Sequence, residues 1–248
     1  MQTLVGYHRP GSLEEALELV KRGHPRSVLV AGGTSLNISR FSEPVEIVDL
    51  QAIGWDQIRA EGPNLEIGAM TRLTDLAAHP SVPELVRELA QREGPNTLRN
   101  VATVGGTLAT GHPESELLAG LLVFEGRVAL ARPGGATEMI PLDELLADRT
   151  RLQGSIIAAI RIEADGPAAA ARTGRTPFDT SIVAAVGRRT APGIRLAVTG
   201  MAATPILVEP EGVPDLDPPG DFRGSPEYRR HLAGTLIRRV MDQLGEES

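Results

Sequence analysis

Two β-branched runs in this chain end on the same three residues. VLVAGGTSLN (28–37) carries a strand-like stretch into Gly32-Gly33-Thr34, and NVATVGGTLATGHPESE (100–116) carries another into Gly105-Gly106-Thr107. Glycine has no Cβ, so it adopts positive φ and lets a second surface approach the main chain. A strand that stops on such a pair delivers backbone N–H groups, and the hydroxyls beside them, to whatever lies beyond its end. From the residues alone two uses stay open. Each pair can make a tight turn between strands, for which Gly-Gly is ordinary, or it can cradle an anion such as a pyrophosphate.

Common motifs do not account for these loops. Neither fits the dinucleotide fingerprint G-x-G-x-x-G, and no Gly-Lys-Ser/Thr triplet marks a phosphate-binding P-loop. Gly33-Thr34-Ser35-Leu36-Asn37 falls one residue short of the nucleophile elbow G-x-S-x-G, because Asn37 stands at the closing glycine, which argues against a serine hydrolase. The histidines (His8, His24, His79, His112, His231) show no H-x-x-x-H spacing, so no metal ligands are expected. Glu114 and Glu116 follow the second loop, where a helix start favours negative charge. They either cap that helix or accept hydrogen bonds from the hydroxyls of a sugar or polyol.

Composition narrows the class further. With no cysteine, the chain can hold neither a disulfide, a thiolate nucleophile nor an iron–sulfur cluster of its own. A net charge of −7 with Lys21 as the only lysine argues against a nucleic-acid surface. The longest apolar runs are strand-sized, so no membrane span is expected. The opening MQTLVGYHRP lacks the charged and apolar regions of a signal peptide, which predicts a cytoplasmic protein.

Periodicity predicts a mixed α+β chain. Ser12-Leu13-Glu14-Glu15 is a capping box, and Leu13, Ala16, Leu17 and Val20 recur at helical spacing. Strands are expected over 27–31, 45–50, 65–69, 127–131, 156–162, 182–186 and 194–199, and helices over 71–78, 83–90 and 114–124. Val101–Leu108 reads as an apolar β-branched run broken by its glycines. The small, Pro/Gly-punctuated stretch 164–177 reads as a linker between domains 1–163 and 178–248. A final helix beginning at Pro226 carries one apolar stripe: Leu232, Leu236, Ile237, Val240 and Leu244.

Four segments in order, AGGTSL (31–36), IGAMTRLTDL (67–76), TLRNVATVGGTLATGHPESELLAGLL (97–122) and DFRGSPEYRRHLAGTLIRR (221–239), resemble the FAD-binding medium subunit of molybdenum hydroxylases of the xanthine dehydrogenase and carbon monoxide dehydrogenase type. The resemblance implies a two-part, PCMH-like FAD-binding domain followed by a small α+β C-terminal domain with an antiparallel sheet, similar to the carbon monoxide dehydrogenase flavoprotein C-terminal domain. It implies that both Gly-Gly loops hold the FAD pyrophosphate. Leu29, Val30, Ala31, Gly32, Gly33, Thr34, Ser35 and Leu36 would form the first cradle, and Thr103, Gly105, Gly106 and Thr107 the second. Glu116 stands where relatives usually have Asp and would bind the flavin's ribityl or ribose hydroxyls.

Thr180 occupies the position of a tyrosine that covers the isoalloxazine ring in relatives, with Phe178 as the nearest aromatic substitute. The chain is also shorter than relatives between Pro205 and Arg223. The resemblance further implies an iron–sulfur small subunit and a molybdopterin large subunit as partners, with NAD, a quinone or another external acceptor taking the electrons. No side chain of this chain is expected to act as acid, base or nucleophile. Two alternatives follow from the departures: a flavin-free assembly or scaffold module of the same complex, and a stand-alone flavin reductase.

Overall fold

The computed structural model describes residues 4–36, 41–176 and 179–245. The chain opens with β1 (Leu4–His8), α1 (Leu13–Lys21), β2 (Arg26–Val30) and β3 (Val45–Asp49). The strands form a parallel sheet in the order β1-β3-β2, with Tyr7 and Val28 both opposite Ile47. The helix α1 begins where the capping box places it. Ser12 Oγ accepts from the Glu15 amide at 3.2 Å, and Glu15 Oε2 accepts in return from Gly11 N at 2.9 Å. β3 is buried along its whole length, as parallel strands are when both faces are covered. Its two carboxylates are accordingly hydrogen-bonded: Ser27 Oγ donates to Glu46 at 2.9 Å, and the Gln51 amide donates to Asp49 at 2.9 Å.

Next come β4 (Ile58–Glu61), β5 (Asn64–Gly68), α2 (Leu73–Ala78), α3 (Glu84–Arg92), α4 (Asn96–Arg99), α5 (Val104–Thr110) and α6 (Glu116–Val123). β6 (Arg127–Ala131), β7 (Thr137–Pro141), α7 (Leu142–Ala147) and β8 (Ile156–Glu163) complete this part. Five antiparallel strands order as β4-β5-β8-β6-β7, and their core-facing residues share one cluster with Leu76, Leu89, Leu108, Leu121 and Phe124. Every residue of α6 is buried. A Cβ at Gly120 would stand 2.6 Å from Leu89 Cδ1, so the glycine is what lets α3 pack this closely against α6.

The C-terminal part contains β9 (Ala168–Thr173), β10 (Val183–Thr190), β11 (Gly193–Val198), β12 (Ile206–Val208) and α8 (Pro226–Gly245). Its sheet is antiparallel, in the order β12-β11-β10-β9. Residues 168–173, expected to be linker, are instead its edge strand. AAAART has no alternation of large apolar and polar side chains, so only pairing with β10 (Ala185 opposite Ala171) makes it a strand. Both faces of this sheet are covered, following the period-two alternation. Val183 and Ala185 pack against α8, whereas Val186 and Ala197 join the core beneath α6. The stripe Leu236, Ile237, Val240 and Leu244 is the buried face of α8, with Leu232 partly buried beside it. The α+β class with antiparallel sheets is thus the observed architecture. Among the described residues no helix is long and apolar enough to cross a membrane.

A charge network with one buried member, Arg229, joins the C-terminal part to the approach to α6. Arg229, 2% exposed, donates to the carbonyls of Ile182 (2.9 Å) and Gly200 (3.0 Å) and pairs with Asp221 at 2.9 Å. Arg223 pairs with both Asp221 and Glu114, and Gly200 N donates to Pro113 O at 2.8 Å. Partial burial works against the Asp221 carboxylate, but hydrogen bonds from Arg229 and Arg223 outweigh it and hold the carboxyl well below its usual range.

Leu236→Ala should cost about 2–5 kcal/mol of unfolding free energy, as for other buried leucines, measured by denaturant titration. The Asp221 network has a pH signature. A carboxyl whose pKa is depressed in the folded state stabilises the fold above its unfolded value of about 3.9, and that contribution is lost as pH falls toward the folded value. Denaturant midpoints of the wild-type chain should therefore fall more steeply below about pH 4 than those of Asp221→Asn, which should already be the weaker of the two at neutral pH.

Candidate functional site

The first Gly-Gly loop leaves the C-terminal end of β2. Gly32 sits against the second loop: a Cβ there would lie 1.8 Å from the Val101 carbonyl oxygen, so only glycine fits. Gly33 has φ +70, the left-handed region that an L side chain resists. Its carbonyl accepts from Leu36 N at 3.2 Å, closing a turn, and Gln51 Nε2 donates to Ala31 O at 3.0 Å. Among the described residues, no acceptor takes the amides of Gly33, Thr34 or Ser35. These three residues are exposed. The loop therefore presents unsatisfied donors on bare backbone, the arrangement that binds anions. Asn37, and with it the end of the near-elbow pattern, lies outside the described residues.

The second loop differs from expectation. The run 101–108 is not an interrupted strand, because Thr103 caps a helix: its Oγ1 accepts from Gly106 N at 3.1 Å and the chain turns helical at Val104. The first-turn amides are consumed within the protein. Val104 N donates to Thr71 O (2.9 Å), Gly105 N to Ala69 O (2.8 Å) and Thr107 N to Thr103 O (3.0 Å). The amides of this loop, unlike those of the first, thus have partners within the protein. Gly105 faces Ala69, whose Cβ and carbonyl oxygen would each stand 2.8 Å from an added Cβ, so packing alone demands glycine here. Gly106 keeps the open face of α5 bare, with only Thr103 Oγ1 within 3.2 Å of such a Cβ.

Between the loops and α6 lies a cleft of about 510 Å³. The structure brings Leu29, Val30, Ala31, Gly32, Gly33, Thr34, Ser35, Leu36, Thr103, Gly106, Thr107 and Glu116 into its lining, and leaves Gly105 out. Thr180 lines it too, while Phe178 lies outside the described residues. Ser115, rather than Glu114 or Glu116, is the N-cap of α6, accepting from Leu118 N at 3.1 Å. Glu93 accepts from Ser115 Oγ (2.8 Å) and from Leu117 N (3.0 Å), and burial nevertheless pushes its carboxyl above the usual range.

Glu116, 4% exposed, is held by Arg172 Nε at 2.8 Å and Arg92 Nη1 at 3.3 Å. Glu93, Arg92 and Arg172 were not legible as site residues. The arginines reach Glu116 from other elements, at separations that carry no local pattern; a lone arginine after four alanines in 168–172 was the only cue.

Residues 3–163 match the protein family described as FAD binding domain in molybdopterin dehydrogenase. The carbon monoxide dehydrogenase medium chain of Hydrogenophaga pseudoflava is 29% identical over 278 residues, covering 95% of both chains. The xanthine dehydrogenase FAD-binding subunit of Escherichia coli O157:H7 is 24% identical over 286 residues, covering 98% of this chain and 97% of the relative. Among solved structures, the carbon monoxide dehydrogenase of Hydrogenophaga pseudoflava lacking the Mo-pyranopterin moiety superposes with a TM-score of 0.88 at 26% identity, over 99% of both chains. The family match extends over more than half of the sequence, so this chain belongs to the FAD-binding domain family of molybdopterin dehydrogenases: it is an FAD-binding medium subunit of the molybdenum hydroxylase type, an oxidoreductase component whose cofactor is FAD.

Proposed function

We propose that this chain carries electrons between partner subunits and an external acceptor, by binding FAD in the cleft between its two glycine loops. The observation that carries this reading is the set of unclaimed amides at Gly33, Thr34 and Ser35, facing a cleft whose opposite wall holds a buried carboxylate. A diphosphate needs N–H donors on a backbone it can approach, and this loop supplies them where side chains are absent. A polyol needs an acceptor, and Glu116 supplies one.

When bound, FAD supplies the redox chemistry, and the protein's share is to hold and orient it. Leu29, Val30, Ala31 and Leu36 line the approach to the first loop. Gly33, Thr34 and Ser35 donate to the diphosphate through their amides and hydroxyls. On the facing side the Thr103 hydroxyl accepts from Gly106 N and keeps its own proton to donate, while the Thr107 hydroxyl donates to Thr103 O at 3.2 Å and keeps only acceptor sites. Each oxygen of Glu116 takes one arginine N–H and keeps a second lone-pair site for a ligand hydroxyl. Since the chain has no cysteine, the iron–sulfur clusters that feed this site belong to a small subunit. Substrate oxidation belongs to a large molybdopterin subunit, and NAD, a quinone or another external acceptor receives the electrons.

The purified chain should carry FAD near one equivalent, released on heat denaturation and identified by its absorbance and chromatography. A colourless protein that cannot be reconstituted with FAD would instead make it a flavin-free module of the complex. Flavin bleaching by NAD(P)H without any partner chain would make it a stand-alone reductase. Co-expression with the neighbouring subunit genes should yield a complex in which reduction of the FAD depends on the iron–sulfur subunit. Gly32→Ala should force the two loops apart at an over-packing cost of roughly 1–3 kcal/mol, weakening FAD binding by about ten- to a hundredfold, with the fold retained by circular dichroism.

A further inference from the structure

Glu116 is the first residue of α6, and two guanidinium groups close on it from different elements. Arg92, at the end of α3, reaches Oε2; α3 and α6 share one core. Arg172 reaches Oε1 and comes from β9, in the C-terminal sheet. The Arg172 side chain is 19% exposed, and its Nη2 donates to the backbone carbonyl of Asp179, next to the cleft residue Thr180. One planar fork is thus fixed at both ends, with its Nε aimed at the carboxylate.

We propose that Arg172 is a positioning residue for the flavin: it holds the Glu116 carboxylate in the orientation that accepts the cofactor's hydroxyls, so that docking of the C-terminal sheet completes the cleft. The inference rests on the cleft being the FAD site. The physical ground is that a buried carboxylate follows its strongest charge-assisted donor, and 2.8 Å to Arg172 is the shorter of its two contacts. Without Arg172, Arg92 is the one arginine among the described residues that pairs with Glu116. That arginine also pairs with Glu88 at 3.4 Å, so its hold on Glu116 is longer and shared. Lysine at 172 keeps a point charge near Glu116 but cannot span carboxylate and carbonyl with a rigid fork.

The test is FAD titration of the full chain, followed by flavin fluorescence and visible spectrum, for wild type, Arg172→Ala, Arg172→Lys, Glu116→Gln and the double variant Arg172→Ala/Glu116→Gln. Arg172→Ala should raise the FAD Kd on the order of tenfold or more and shift the visible flavin band, with Arg172→Lys intermediate. If Arg172 acts through Glu116, then in the Glu116→Gln background the same alanine substitution should change Kd by less than about twofold. Wild-type affinity and spectrum in Arg172→Ala, or losses that multiply in the double variant, would overturn the proposal. Circular dichroism and thermal melts separate misfolding from weakened binding, and should Arg172→Ala fail to fold, Arg172→Lys in both Glu116 backgrounds gives the same comparison. A wild-type chain that binds no FAD would sink the assignment of the cleft itself, a distinct outcome.

Discussion

The approach of Gly32 to the Val101 carbonyl is the contact on which the cleft depends. There is no room for a single carbon atom between them. This contact brings the end of a parallel three-stranded sheet against the N-terminal approach to α5, which is built on a different, antiparallel sheet. Had the first loop carried any side chain at this point, the two sheets would stand further apart and the amides beyond Gly32 would face open solvent rather than a walled cleft. The left-handed Gly33 then turns those amides away from their own strand.

Two similar sequences have opposite fates because of what surrounds them. For the first Gly-Gly-Thr, no acceptor among the described residues takes the amides of Gly33 or Thr34. The second is preceded by Thr103, a good N-cap, and lies beside the 68–71 turn, whose carbonyls at Ala69 and Thr71 take the first amides of α5. The same residue types therefore leave their amides open in one place and serve as helix start and packing surface in the other. Glycine serves packing elsewhere too, at Gly120 under Leu89 and at Gly187, where a Cβ would come within 2.5 Å of Val240 Cγ1 on α8.

The far wall of the cleft belongs to both parts of the chain. Glu116 starts a helix buried from end to end between the two antiparallel sheets, while Arg172 and Thr180 arrive from the C-terminal sheet and the segment that follows its edge strand. The charge network of Glu114, Arg223, Asp221 and Arg229 runs beside it and fastens the approach to α6 to the start of α8. Arg229, the buried member, is held by pairing with Asp221 and by two backbone carbonyls rather than by solvent, so the wall is set by how the two parts dock.

Local signals in the sequence were sufficient for α1, with its Ser12 cap, for the apolar face of α8, for the β-branched strands β2, β3 and β8, and for the family carried by the ordered motifs. Each depends on spacing within a few residues, where propensity, capping and periodicity act. The absence of cysteine also settled by itself that no iron–sulfur cluster is ligated by this chain. Only the tertiary structure decided that 168–173 is a strand, that Gly105 is a packing residue, that the second loop keeps its amides, and that Arg92 and Arg172 flank Glu116. Those outcomes turn on which carbonyl, carboxylate or neighbouring strand lies within hydrogen-bonding reach. Reach across a fold is set by the docking of elements distant in the chain, not by the residues on either side.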